Sequence, residues 1–218
     1  MIEVRIAIAL IMLATAAFFD LKKRAVNDII WMVFGSIGAL LYIYDYNDYV
    51  FQTVMISITA AVAIALLAWY VRLFGGADAL AIVALSILVP IYNNIPLPLI
   101  VIIVAATLSI IYSIMYNSII NTYHYLKKRR LFDEFDEPLY RRVIAFFFLH
   151  KMINIDRFVY IAEYDDGNSK RFRFKTSIDD VVIDYRDKYV SLSIPFLFYM
   201  LIALIMVYLY QIHYLWML

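Results

Sequence analysis

The chain has 218 residues, of which 65% are hydrophobic and 17% charged, with a formal net charge of +1. That balance excludes an ordinary water-soluble globular domain and makes lipid the main solvent. The absence of cysteine excludes disulfides, cysteine-ligated metal sites and thiol catalysis. A near-zero sum of charges leaves their distribution as the informative quantity.

Apolar runs separated by charged or turn-forming residues predict six membrane-spanning helices, near residues 4–19, 29–46, 51–73, 78–94, 97–122 and 191–215. The first run resembles a signal peptide, but Glu3 and Arg5 precede it and a second span follows almost at once, so it reads as a retained helix. From Ile6 to Phe19 this run is roughly 21 Å long at 1.5 Å per residue, short of a full hydrocarbon core, which draws Asp20 inward. The second span runs into Tyr42, Tyr44, Tyr46 and Tyr49, and the third ends at Trp69 and Tyr70, as aromatic belts do at the two interfaces. "IYNNIPLPL", with Asn93, Asn94, Pro96 and Pro98, supplies the turn between the fourth and fifth spans.

Residues 124–190 form the one sizeable polar segment. Within it, "YRRVIAFFFLHKM" has an apolar centre too short to span, flanked by Arg141, Arg142 and Lys151, and reads as a helix lying in the interface. "RFVYIAEYDDGNSKRFRFKTS" reads as two short strands around a turn at Asp166, Gly167 and Asn168. Its Arg171, Arg173 and Lys175 alternate with Phe172 and Phe174 and form a solvated or headgroup-facing surface. The acidic "DEFDE" at 133–137 reads as a solvated loop. The fold class expected is therefore an all-α polytopic membrane protein with a small α+β segment before the last helix. Its regions are 1–123, 124–190 and 191–218.

Lysine and arginine concentrate in loops on the cytoplasmic side. "LKKRAVND", Arg72 and "KKRR" at 127–130 share one side, whereas "YDYNDY" and "YNNIPLP" on the other carry neither residue. The expectation is a multi-pass plasma-membrane protein with a cytoplasmic 124–190 segment and both termini outside the cytoplasm.

Two acidic residues stand out. Asp20 ends the first span and Asp78 opens the fourth in "FGGADALA", and parity puts both at the same membrane face, opposite Asp45 and Asp48. Each has a plain structural account: Asp78 as the N-cap of its helix, Asp20 as an interfacial partner of Lys23 or Arg24. Gly75 and Gly76 allow a bend ahead of Asp78 that would admit an extended peptide or water. Two carboxyls about 3 Å apart cannot both ionise easily, so one holds a proton while the other acts as base. Such a pair activates water for attack on an amide and protonates the leaving nitrogen. The histidines His124, His150 and His213 lie in different elements and suggest no shared site. A competing expectation is a proton-coupled transporter or channel, which needs carboxylates at mid-span and an inverted repeat.

"DLKKRAVND" at the end of one span and "GGAD" at the start of a later one resemble the paired motifs of the archaeal prepilin and preflagellin (prearchaellin) peptidases, membrane aspartyl proteases with a G-x-G-D signature. The resemblance covers roughly residues 1–92. It implies Asp20 and Asp78 as the catalytic pair, Gly75, Gly76 and Ala77 as the active-site loop, and Lys22, Arg24 and Asn27 as supporting positions, with Val26 in an aliphatic place. Ala77 stands where the family has its second glycine, a change compatible with a negative φ there. Many members also have proline before the position of Asn27, where this chain has Val26. The implied substrates are pilin-like or archaellin precursors, cut after a short basic leader at the cytoplasmic face. The resemblance implies no cofactor, no metal, no nucleic-acid partner and no methyltransferase activity, with membrane lipids as surroundings.

Overall fold

The structure is a computed structural model that describes residues 2–44, 48–71, 75–93, 95–127, 131–152, 159–165, 169–173 and 188–217. Asp45, Tyr46, Arg72, Asn94, residues 128–130, the turn at 166–168, Phe174 and Lys175 lie outside them, as do the side chains of Tyr44, Asp48 and Tyr49. Seven helices occupy the described residues: α1 (Ile2–Lys23), α2 (Ile29–Tyr44), α3 (Asp48–Tyr70), α4 (Gly76–Leu88), α5 (Leu97–Leu126), α6 (Leu139–Phe148) and α7 (Phe196–Met217). Short strands β1 (His150–Lys151), β2 (Val159–Ile161), β3 (Glu163–Asp165), β4 (Lys170–Phe172) and β5 (Tyr189–Leu192) lie between α6 and α7. The chain divides into two compact units, residues 1–108 with 195–218, and residues 109–194, so that the boundary falls inside α5.

Helices α1 and α5 are long and apolar enough to cross a membrane. The distribution of residue sizes carries the same message. Small residues make up part of the interior of the first unit, where Ala9, Ala16, Ala61, Ala65, Ala81, Ala84 and Ala203 are buried beside larger ones such as Met12, Leu13, Leu85 and Leu204. Many large apolar residues nevertheless face outward, among them Ile11, Met32, Leu40, Ile56, Leu67 and Ile103. In water this arrangement would waste the hydrophobic effect. In lipid, which solvates Leu as well as a protein core does, close backbone approach over small residues is what holds helices together. The molecule is a mostly helical membrane protein.

Within the first unit α4 is the hub, packing against α1, α2, α3 and α7. Its contact with α2 is tight at Gly38, where an added Cβ would lie 3.1 Å from the Leu88 backbone nitrogen and 3.2 Å from the Ile87 carbonyl carbon. Arg5, buried near the start of α1, donates from Nη1 to the Leu88 carbonyl at 3.1 Å and stacks its guanidinium 4.3 Å from the centre of the Tyr42 ring. It thereby satisfies a carbonyl at the C-terminal end of α4. Ser57 on α3 donates to the Pro90 carbonyl at 2.7 Å just beyond that end.

The fourth apolar run extends to residue 94 in the sequence, yet α4 stops at Leu88. Pro90 is the cause, since the residue before a proline is pushed from helical into extended conformation, and Val89 has φ −138° and ψ 75°. The expected turn follows: Tyr92 and Ile95 exchange backbone bonds of 2.9 and 3.0 Å, with Asn93 at φ 48°, a left-handed conformation that asparagine tolerates. Likewise α7 starts at Phe196 behind Pro195, rather than at 191, because residues 189–192 are taken by β5.

The second unit has a different interior. Phe132, Phe135, Ala145, Leu149, Ala162, Phe172 and Tyr189 form its core, with Phe135 stacked on Phe172 at 4.2 Å. Strands β1, β5 and β2 make one antiparallel sheet in that order, with His150 opposite Val190 and Val159 opposite Leu192. The expected hairpin is β3 with β4, Glu163 facing Phe172.

"DEFDE" is not a solvated loop. Phe135 and Glu137 are both buried, and the Glu137 carboxylate accepts from Arg141 at 2.8 Å and from the Phe172 N–H at 3.0 Å. Arg141 in turn donates to the Phe172 carbonyl at 3.0 Å. Glu134 pairs with Lys170 at 2.6 Å, and this holds its carboxyl below the usual range. The arginines of α6 do not merely flank an apolar centre. They bond into their own unit, while Leu139, Tyr140, Val143 and Ile144 face outward.

Candidate active site

Helices α1 and α4 run antiparallel: Arg5 near the start of α1 bonds to Leu88 at the end of α4, and Asp20 near the end of α1 acts on Asp78 near the start of α4. Fifteen residues on from Arg5, about 22 Å along α1, stands Asp20; ten residues back from Leu88, about 15 Å along α4, stands Asp78. The reach of the arginine side chain makes up most of the difference, so both carboxyls arrive at the same end of the pair. Asp78 lies within electrostatic reach of Asp20 and of Arg24.

Asp20 sits in the last turn of α1. Arg24 ends that helix in a left-handed conformation, φ 52°, its N–H donating to the Asp20 carbonyl at 3.0 Å, a cap usually made by glycine or asparagine. The side chain turns back as well: Arg24 Nη1 lies 3.8 Å from Asp20 Oδ1, with both side chains largely buried. Of the two basic partners considered for Asp20, Arg24 is the one engaged. The backbone of Leu197, at the start of α7, also acts on Asp20. The other oxygen, Oδ2, is buried and meets no hydrogen-bond donor among the described residues. Lys22 points elsewhere, its ammonium 5.7 Å from the centre of the Phe18 ring.

Asp78 is not the N-cap of α4 but its third residue; the cap is Gly75, with φ −69° and ψ 162°. From that place the carboxylate reaches back, and the Gly75 N–H donates to Asp78 Oδ2 at 3.0 Å, half of a capping box. Gly75 is therefore needed for room rather than for a glycine-only backbone: a Cβ there would stand 3.3 Å from Asp78 Oδ2. Gly76 is the first helical residue of α4, with open space around it, and supplies no bend. Ala77 follows within the helix, and it is not among the positive-φ residues, so alanine in place of the family's second glycine is unstrained. Asn27 proves to be a capping residue, its Oδ1 accepting the Ile29 N–H at 2.9 Å at the start of α2.

Two features escaped the sequence reading. Arg5 was read only as a charge preceding the first apolar run, although an arginine at the edge of a span commonly finds a carbonyl or carboxylate partner. The other is a polar stripe in the second unit. Ser109, Ser113, Asn117 and Asn121 recur at every fourth position of α5, all buried. Asn117 donates to the Ser113 carbonyl at 2.7 Å, which turns its Oδ1 toward His150 Nδ1 at 2.8 Å. Because that oxygen only accepts, the proton of the pair lies on His150 Nδ1. The i, i+4 spacing of small polar residues was the available signal.

The arrangement offers two carboxyls at one helix-bundle end, one held by a guanidinium and one by a backbone amide. Residues 7–114, which contain both, match the model of the type IV leader peptidase family. No curated protein matches the chain.

Proposed function

With residues 7–114 belonging to the type IV leader peptidase family, we propose that the chain is an aspartyl endopeptidase that removes the basic leader from pilin-like or archaellin precursors. The observation that supports this reading is that Asp20 and Asp78 lie within electrostatic reach of each other at one end of α1 and α4. In the proposed reaction a water between the carboxyls gives its proton to one of them and attacks the scissile carbonyl; the other carboxyl protonates the leaving amine. Asp20 Oδ2, free of a protein donor among the described residues, is suited to receive the water's proton. Asp78 keeps one oxygen on the Gly75 N–H and turns the other to the reaction.

The basic residues near this end, Lys22, Lys23 and Arg24, favour the cytoplasmic face, where a leader that cannot cross the membrane stays. No methyl transfer is proposed. A transporter relay would want carboxylates at mid-span, whereas Asp20 lies in the last turn of α1 and Asp78 in the first of α4.

The test is cleavage of a pilin-like and an archaellin precursor in membranes carrying wild type, Asp20→Asn or Asp78→Asn at equal insertion. Each single substitution is expected to lower cleavage at least about a thousandfold, since the pair acts as a unit. Normal cleavage by either variant would remove that residue from the mechanism.

A further inference from the structure

The chain leaves α1 through a conformation that its residue does not favour. Arg24 has φ 52°, in the left-handed region where a Cβ crowds the backbone and where glycine or asparagine usually stands. An arginine gains nothing there for the main chain, because the N–H of any residue but proline could reach the Asp20 carbonyl at 3.0 Å. The side chain supplies the reason. The left-handed turn folds it back over the last turn of α1, and its Nη1 comes to 3.8 Å from Asp20 Oδ1, in a pair whose side chains are only 21% and 13% exposed. An ion pair this shielded from water interacts more strongly than one on an open surface. The neighbouring lysines do not take that place: Lys22 lies against the Phe18 ring and Lys23 is exposed.

The two carboxyls thus have unlike surroundings. Asp20 has the guanidinium beside it and the Leu197 backbone of α7 acting on it. Asp78, across on α4, takes its hydrogen bond from the Gly75 N–H at 3.0 Å and feels Arg24 only through space. Among the described residues, the charges that bear on the pair are those of Arg24 and of the two aspartates themselves. When two acids share one proton, the acid next to the cation keeps its charge and the proton stays with the other.

We propose that Arg24 is a positioning residue of the peptidase site, which orients Asp20 and holds it as the charged, water-activating member of the pair while Asp78 carries the shared proton. This rests on the peptidase reading and adds the division of labour between the aspartates. Water loses a proton to Asp20 as its oxygen bonds to the scissile carbonyl carbon. Asp78 gives its own proton to the nitrogen as the C–N bond breaks, and the proton on Asp20, disfavoured beside Arg24, passes to Asp78 once the products leave.

The experiment measures precursor cleavage by the full chain in proteoliposomes from about pH 5 to 9, with thermal unfolding alongside, for wild type, Arg24→Gly, Arg24→Gln, Arg24→Lys and Lys23→Gln. Glycine removes the charge but suits the left-handed turn, so Arg24→Gly is expected to keep or raise the thermal midpoint. Its kcat/KM should nevertheless fall roughly tenfold to a hundredfold near neutral pH, with the acidic limb of the profile moved up by roughly one unit. Arg24→Lys should restore most of the rate, and Lys23→Gln should leave the profile in place. A wild-type profile in Arg24→Gly, a loss that follows a lowered midpoint with the limb unmoved, or an equal shift in Lys23→Gln overturns the proposal while leaving the peptidase reading intact. A wild type that cleaves no precursor overturns both. Should Arg24→Gly misfold, the other two variants decide: a limb shifted in Arg24→Gln but not in Arg24→Lys supports the assignment, and equal behaviour refutes it.

Discussion

Glycines 75 and 76 stand side by side in the sequence yet have unequal work. Gly75→Ala pushes a Cβ toward the Asp78 carboxylate at 3.3 Å, so the carboxylate shifts by a few tenths of an ångström. Positional errors of this sort weigh on catalysis more than on stability. Precursor cleavage is expected to fall about tenfold with the thermal midpoint nearly unchanged. Gly76→Ala meets nothing within 4 Å and adds helix propensity, so activity should persist with a gain of up to about 1 kcal/mol. A second residue gives a pH signature. Burial holds the Tyr189 phenol above its ordinary range, and its oxygen accepts the Phe132 N–H at 3.3 Å. A folded pKa above the unfolded one means stability fully present below about pH 10, and lost as pH rises through the folded value. Alkaline titration followed by near-ultraviolet circular dichroism should show this loss, and Tyr189→Phe should blunt it. The two aspartates were legible from position and parity alone. The parts played by Gly75 and Arg24 were not, because a space requirement and a left-handed cap depend on atoms brought close only by folding.

Among the elements, α4 decides the packing of the first unit. It is 13 residues long and flanked by four other helices, and its buried face mixes Ala81, Ala84 and Ser86 with Ile82, Leu85 and Leu88. At Gly38 two of the three opposing atoms are backbone and cannot readily yield. Gly38→Ala should therefore destabilise by about 1–3 kcal/mol of overpacking, more than the gain in helix propensity. Gly35→Ala, one turn away with open space around it, should be neutral or stabilising; thermal unfolding in detergent separates the two. Most helices could be read from apolar run length, but their ends required the rule for residues preceding proline, applied at Pro90 and Pro195. Strands β1 and β5 were illegible for another reason. At two and four residues they carry no period of their own and exist through partners about 40 positions distant. In α6 the amphipathic pattern was plain, while the choice of which face turns inward depended on Glu137 and on carbonyls outside the helix.

Across the molecule there are two kinds of interior. The first unit packs alanines among aliphatic side chains, the second a cluster of aromatic rings. The second unit's weak point is ionic. Glu137 holds Arg141 and the Phe172 N–H together, and Glu137→Gln would leave Arg141 without its carboxylate. A loss of about 3–5 kcal/mol is expected from breaking a buried pair on one side. Limited proteolysis should then cut within residues 109–194 while the first unit stays intact. Composition announced the membrane and the polar segment announced a second region, but its core could not be seen beforehand, since "DEFDE" has the look of solvent and is built into the fold.

The contact between the Leu197 backbone and Asp20 bears on time as well as space. The ribosome makes α1 and α4 early, and α7 only after residues 109–194 have been synthesised. A growing chain thus holds both carboxyls in the bilayer while one wall of their setting is still unmade. In the proposed protease that wall is added last, when α7 docks against α1.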